Sequence, residues 1–117
     1  NDLFDLAGSV ERIICPPSDA YGALPRILET CMQYGTDRLF LLSVGVAAKF
    51  LALALFTKGY RVLDIGNMDL EYEWYVRQAP DKIPLKKHEI VGEKANREAA
   101  VHDREYGKYL DEIKYWL

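Results

Sequence analysis

The chain has 117 residues, half of them apolar and 28% charged, which allows a buried core and excludes disordered and collagen-like chains. Its net charge of -3 and pI near 5.4 speak against a nucleic-acid-binding surface. The two cysteines, Cys15 and Cys31, lack any CxxC or metal-finger spacing and read as small buried hydrophobes, which fits a reduced, cytoplasmic setting.

The chain opens on Asn1 with no basic segment followed by an apolar one, so no signal peptide is visible, and its start is expected to be a chosen boundary, a cleavage point or a crop from a longer protein. Arg12-Ile13-Ile14-Cys15 is a first strand, stopped by Pro16-Pro17, which cannot donate to a ladder. Ser18-Asp19 can cap a helix whose apolar face is Leu24, Ile27, Leu28, Cys31 and Met32, with Pro25 near its first turn. Leu39 to Val44 is a second strand, Gly45 a turn, and Ala47 to Thr57 a second helix closed by Lys58-Gly59. The apolar stretch Leu39 to Phe56 is broken by Ser43, Gly45 and Lys49, so it reads as strand-turn-helix rather than a membrane span. Tyr60 to Ile65 is a third strand, and Gly66-Asn67 turns the chain.

This order predicts an α/β, Rossmann-like three-layer fold: about three parallel strands with helices on both faces. The expected organisation is one domain over 1–117, with a β-α-β-α-β core over 1–78 and a loop and C-terminal helix over 79–117. Ala79-Pro80-Asp81 is a turn and Lys82 to Val91 a loop, with Lys86-Lys87-His88 a solvated basic run. Tyr106, Tyr109, Leu110, Ile113 and Trp116-Leu117 recur at helical spacing and predict a helical tail. The strand ends would share one edge, where open α/β sheets bind ligands.

The chemistry concentrates after the third strand, in Asp64-Ile65-Gly66-Asn67-Met68-Asp69-Leu70-Glu71-Tyr72-Glu73-Trp74. On an extended backbone Asp69 and Glu71 point the same way, and a hard divalent cation would neutralise the pair. Equally, Asp69 can cap a helix whose first turn contains Glu71 and Glu73. At Ser43-Val44-Gly45-Val46-Ala47, the helix start can hold a phosphate or a uracil edge, or be an ordinary tight turn. Val62-Leu63-Asp64-Ile65-Gly66 also looks like the opening of a methyltransferase cofactor loop, but Asn67-Met68-Asp69 follows where more glycines are needed. His88 and His102 stand in no ligand spacing and read as surface residues.

Leu63-Asp64-Ile65-Gly66 with Met68-Asp69-Leu70-Glu71-Tyr72-Glu73-Trp74 resembles the signature block of GT-D-type glycosyltransferases. Asn1-Asp2-Leu3-Phe4, Arg12 to Pro16, the Gly45 turn and Lys58-Gly59-Tyr60 resemble the segments upstream of it, so the resemblance spans about Asn1 to Trp74. It implies a metal-dependent enzyme moving a hexose from a nucleotide sugar, such as a UDP-sugar, to a glycan or glycoprotein acceptor. Asp69 and Glu71 would serve Mn²⁺ or Mg²⁺ and the diphosphate, Gly45, Ala47, Asp64 and Gly66 would line the donor, and Glu73 and Asn67 would be the catalytic candidates. Asn67 stands where the family usually has His, and Gly45-Val46-Ala47 where it tends to Gly-Pro-Thr. Family members carry a comparable stretch before this one, so a homodimer, or pairing with such an N-terminal half, is expected. A non-catalytic partner or binding domain that keeps the fold is the alternative.

Overall fold

A computed structural model describes residues 3–79 and 106–117. The expected turn at Pro80, the Lys82 to Val91 loop, His88, His102 and the start of the tail lie outside the described residues. The elements are β1 (Arg12–Ile14), α1 (Leu24–Cys31), β2 (Leu39–Leu42), α2 (Ala47–Thr57), β3 (Arg61–Asp64), α3 (Met68–Val76), α4 (Tyr106–Glu112) and β4 (Ile113–Trp116). The chain divides into two compact units, residues 1–12 with 67–114, and residues 13–66 with 115–117.

In the second unit β2 and β3 are parallel, from Leu39 opposite Arg61 to Leu42 opposite Asp64. Alternation of side chains turns Phe40, Leu42 and Val62 to one face. There they pack with Ile27 and Cys31 of α1, Ala48, Leu51 and Leu55 of α2, and Tyr60, and these form the core. α1 starts with Pro25 in its first turn, where a missing N–H costs nothing, as its spacing predicts. The anticipated cap differs: the Asp19 carboxylate accepts the Gly22 N–H at 3.2 Å, and no side chain caps α1. Edge-on aromatic contacts, Tyr34 with Phe40 and Phe40 with Tyr60, seal one end of this core, and the Tyr60 hydroxyl donates to the Tyr34 carbonyl at 2.6 Å.

Three features depart from the expected architecture. The described strands form two two-stranded sheets, β1 with β4 and β2 with β3, rather than one sheet of three. The far face of β2–β3, with Leu39, Leu41 and Leu63, is exposed, so among the described residues helices cover one face of this sheet. The outer side of α2 likewise exposes Val46, Phe50, Leu53 and Phe56. The chain end is a short helix followed by a strand, because Ile113–Trp116 takes up pairing with β1, and the Leu117 N–H donates to the Ile14 carbonyl at 2.9 Å. No helix among the described residues is long and apolar enough to cross a membrane.

The first unit contains α3 and α4. Leu70 and Tyr109 are buried there with the acids Asp69 and Glu73.

Candidate functional site

The parallel register brings the carboxyl ends of β2 and β3 side by side, with the Ile65 N–H donating to the Leu42 carbonyl at 2.9 Å just past the last pair. The loops that follow leave from one edge, and each turns on a left-handed glycine, Gly45 at φ +63° and Gly66 at φ +56°. An added Cβ would meet open space at both, so the glycines are required by backbone conformation and not by crowding. The Asp64 carboxylate accepts the Gly66 N–H at 3.0 Å and braces that turn. Ala47 opens α2 with its side chain buried, behind Val46, whose side chain provides no cap. The four donor candidates Gly45, Ala47, Asp64 and Gly66 therefore share one edge of the second unit, with the glycines and Asp64 exposed and Ala47 buried.

The acidic stretch belongs to the first unit and is helical. Asn67 is the N-cap of α3, exposed and without a side-chain capping bond, and the Glu71 N–H donates to its carbonyl at 2.9 Å. A helix advances about 100° per residue, so Asp69 and Glu71 diverge by roughly 200°, whereas Asp69 and Glu73 share a face. Of the two readings of this stretch the helical one holds, with Asn67 rather than Asp69 at the cap: Asp69 and Glu73 are buried, and Glu71 is exposed. Asp69 Oδ2 accepts from Arg12 Nη1 at 3.2 Å, and Glu73 Oε1 accepts from Arg77 Nε at 2.9 Å. Arg12 Nε also donates to Glu112 Oε2 at 2.6 Å, and its guanidinium carbon lies 4.7 Å from the Tyr109 ring centre and 5.9 Å from that of Phe4.

Arg12 is the residue that sequence reasoning missed. Its signal was a cation opening an apolar run, which needs carboxylate partners once buried. On the helix Asp69 and Glu71 lie on different faces, and no group of three or more His, Cys, Asp or Glu suited to a metal occurs among the described residues. Glu71 alone does fit the habit of Mg²⁺ and Mn²⁺ at substrate phosphates, which take one or two protein carboxylates together with phosphate oxygens and water.

Parallel strands ending in glycine turns, with an acid-led helix after the last of them, define an α/β protein. The sequence matches the family described as the glycosyltransferase GT-D fold over residues 1–93, and the chain belongs to that family. It is 47% identical over 89 residues to the "Probable glycosyl transferase Gly" of Streptococcus gordonii, and 42% identical over 89 residues to "Glycosyltransferase GlyD" of Streptococcus pneumoniae serotype 4. Those alignments cover 75% of this chain but only 13% and 11% of the relatives. A solved structure described as a new glycosyltransferase from Streptococcus sanguinis superposes with a TM-score of 0.80 at 39% identity, over 100% of this chain and 43% of that one. A second, described as a domain with a distinct glycosyltransferase fold, gives 0.79 at 33% identity over 99% of this chain and 41% of that one. The chain thus spans less than half of the solved chains and about an eighth of the curated relatives.

Proposed function

We propose that this chain is the donor-handling part of a divalent-cation-dependent glycosyltransferase, one that moves a hexose from a nucleotide sugar, UDP-linked, to a glycan acceptor on a surface glycoprotein or polysaccharide. The observation that carries this reading is the family match over residues 1–93, which includes both glycine turns and all of α3. In the second unit, backbone amides at the Gly45 turn and the start of α2 are the groups proposed to meet phosphate or the uracil edge, with Gly66 and its brace Asp64 beside them. In the first unit, Glu71 is the carboxylate proposed to hold Mn²⁺ or Mg²⁺. When bound, such a cation would offset the charge that develops on the leaving diphosphate. Asn67, exposed at the head of α3, is proposed to hydrogen-bond the donor, and Glu73 to act through Arg77, which it holds.

The bare face of β2–β3 supports a partner. We assign it to the part of a GT-D domain that the solved relatives have beyond the stretch matched here, since this chain corresponds to only 43% and 41% of them. Pairing with a second copy is the other outcome open to test.

Calorimetric titration of UDP with and without Mn²⁺ tests the donor reading. Binding that requires Mn²⁺ and is lost in Glu71→Gln is the expected result. No binding in any condition would favour either a donor site completed by the part of the solved relatives that this chain does not match, or a non-catalytic partner domain, a reading supported by Asn67, which cannot serve as a base where the family usually has His.

A further inference from the structure

We propose that Arg12 is a positioning residue of this site and that Asp69 is its structural partner rather than a cation ligand, which leaves Glu71 as the one acid of Asp69-Leu70-Glu71 that meets the donor. The inference rests on the reading of α3 given under Proposed function and divides the labour within it.

The geometry separates the two acids. Asp69 is 4% exposed and ion-paired to Arg12 at 3.2 Å, and the same guanidinium bonds Glu112 at 2.6 Å. One planar fork therefore ties the start of β1 to the first turn of α3 and the last residue of α4, all within the first unit. The flanking Tyr109 and Phe4 rings hold the guanidinium between aromatic surfaces, where it is oriented as well as charged. One turn further along, the buried Glu73 is paired with the exposed Arg77 at the C-cap of α3. With Asp69 and Glu73 both held inward, the helix has one rotational setting, and that setting presents Glu71 outward. A cation at Asp69 would have to displace the guanidinium from that carboxylate, which breaks a partly buried ion pair and leaves Arg12 to Glu112. Lysine could not replace Arg12, because a single ammonium lacks the fork that spans two carboxylates.

The test combines a thermal double-mutant cycle with Mn²⁺ binding. Arg12→Gln, Asp69→Asn, the double variant, Arg12→Lys and Glu71→Gln would each be melted by circular dichroism. Binding of Mn²⁺ in the presence of UDP would be read from the free-ion electron paramagnetic resonance signal. Arg12→Gln and Asp69→Asn should each lower Tm by several degrees, and the double variant should fall no further than the worse single one. Glu71→Gln should leave Tm unchanged and weaken Mn²⁺ binding at least about tenfold, the loss of one charged ligand being worth more than about 1.4 kcal/mol. Arg12→Gln and Asp69→Asn should weaken Mn²⁺ binding equally and by less than Glu71→Gln, and Arg12→Lys should not restore it. Should Arg12→Gln not fold, Arg12→Lys takes its place in the cycle.

Additive Tm losses would overturn the lock. Tighter Mn²⁺ binding in Arg12→Gln, with loss in Asp69→Asn, would overturn it too, by showing that the guanidinium competes with the cation for Asp69. Absence of Mn²⁺ binding in the wild type would refute the donor reading instead, while the thermal cycle would still decide whether Arg12 and Asp69 act as a unit.

Discussion

Leu41 and Leu63 stand opposite each other in the parallel register of β2 and β3, and both point away from the core, 39% and 55% exposed. A parallel pair with one bare apolar face is unusual, because such sheets are ordinarily covered on both. Leu39 extends the same row. Replacing Leu41 and Leu63 with Asp should leave the fold intact, since neither side chain contributes to the core, and should abolish association with the unmatched part of a GT-D domain supplied in trans. Analytical ultracentrifugation of the chain with and without that partner is the measurement. Self-association of the wild type that the double variant loses would assign the face to a second copy.

Gly45 and Gly66 are predicted to be sensitive for a backbone reason alone. At φ +63° an alanine in place of Gly45 meets open space, so its cost is the left-handed conformation itself, about 1 kcal/mol. Asn, which tolerates that region, should cost less than Ala. Urea denaturation of Gly45→Ala and Gly45→Asn would check the order. If the turn also meets a phosphate, Gly45→Ala should weaken UDP binding beyond what its stability loss explains.

Leu55 is fully buried between α2 and the inward face of the sheet. Truncation there leaves a void that neighbouring side chains only partly fill, so Leu55→Ala should destabilise by about 3 kcal/mol. On the same helix Leu53 is exposed, and Leu53→Ala should be close to neutral. Equal losses at the two positions in a denaturant titration would contradict the orientation assigned to α2.

Cys31 makes stability depend on pH at the alkaline end. Burial, helped by the neighbouring Cys15, pushes its thiol from an ordinary 9.0 up to about 11. The folded state therefore keeps a proton that the unfolded chain releases. The contribution is complete below pH 9.0 and disappears as pH rises through about 11. Wild type should lose stability across that window more steeply than Cys31→Ala, as measured by the urea midpoint at several pH values. The Cys15 thiol is pushed in the same direction by burial, with Arg26 opposing, so both thiols should react slowly with alkylating reagents at pH 8 in the native protein.

Much of the local structure was legible because it depends on neighbours in the chain. Ala47–Thr57 is a helix over the residues its pattern indicates, bounded by the Gly45 turn and Lys58-Gly59. The apolar runs at Arg12, Leu39 and Tyr60 contain strands, each shorter than its run. The glycine turns and the family resemblance were likewise visible in short contiguous motifs, and the family match over residues 1–93 agrees with them.

The arrangement of the acids was not legible in that way. A two-residue spacing converges on an extended strand and diverges on a helix, and Asp64 to Trp74 has the composition for either. The tail misled for a related reason: Ile113 to Trp116 continues a helical apolar spacing, yet a ladder with β1 was available and these four residues took it.

By itself the sequence determined the strands and helices from Arg12 to Asp64, which turns need glycine, and which family the chain belongs to, because these depend on local propensity and on motifs read along the chain. Tertiary structure alone decided that β1 pairs with β4, that one face of β2–β3 stays bare, and that Arg12, 57 residues before Asp69, turns the first acid of the motif inward. Those outcomes depend on which distant groups meet, and a buried charge takes whichever partner the fold brings within reach.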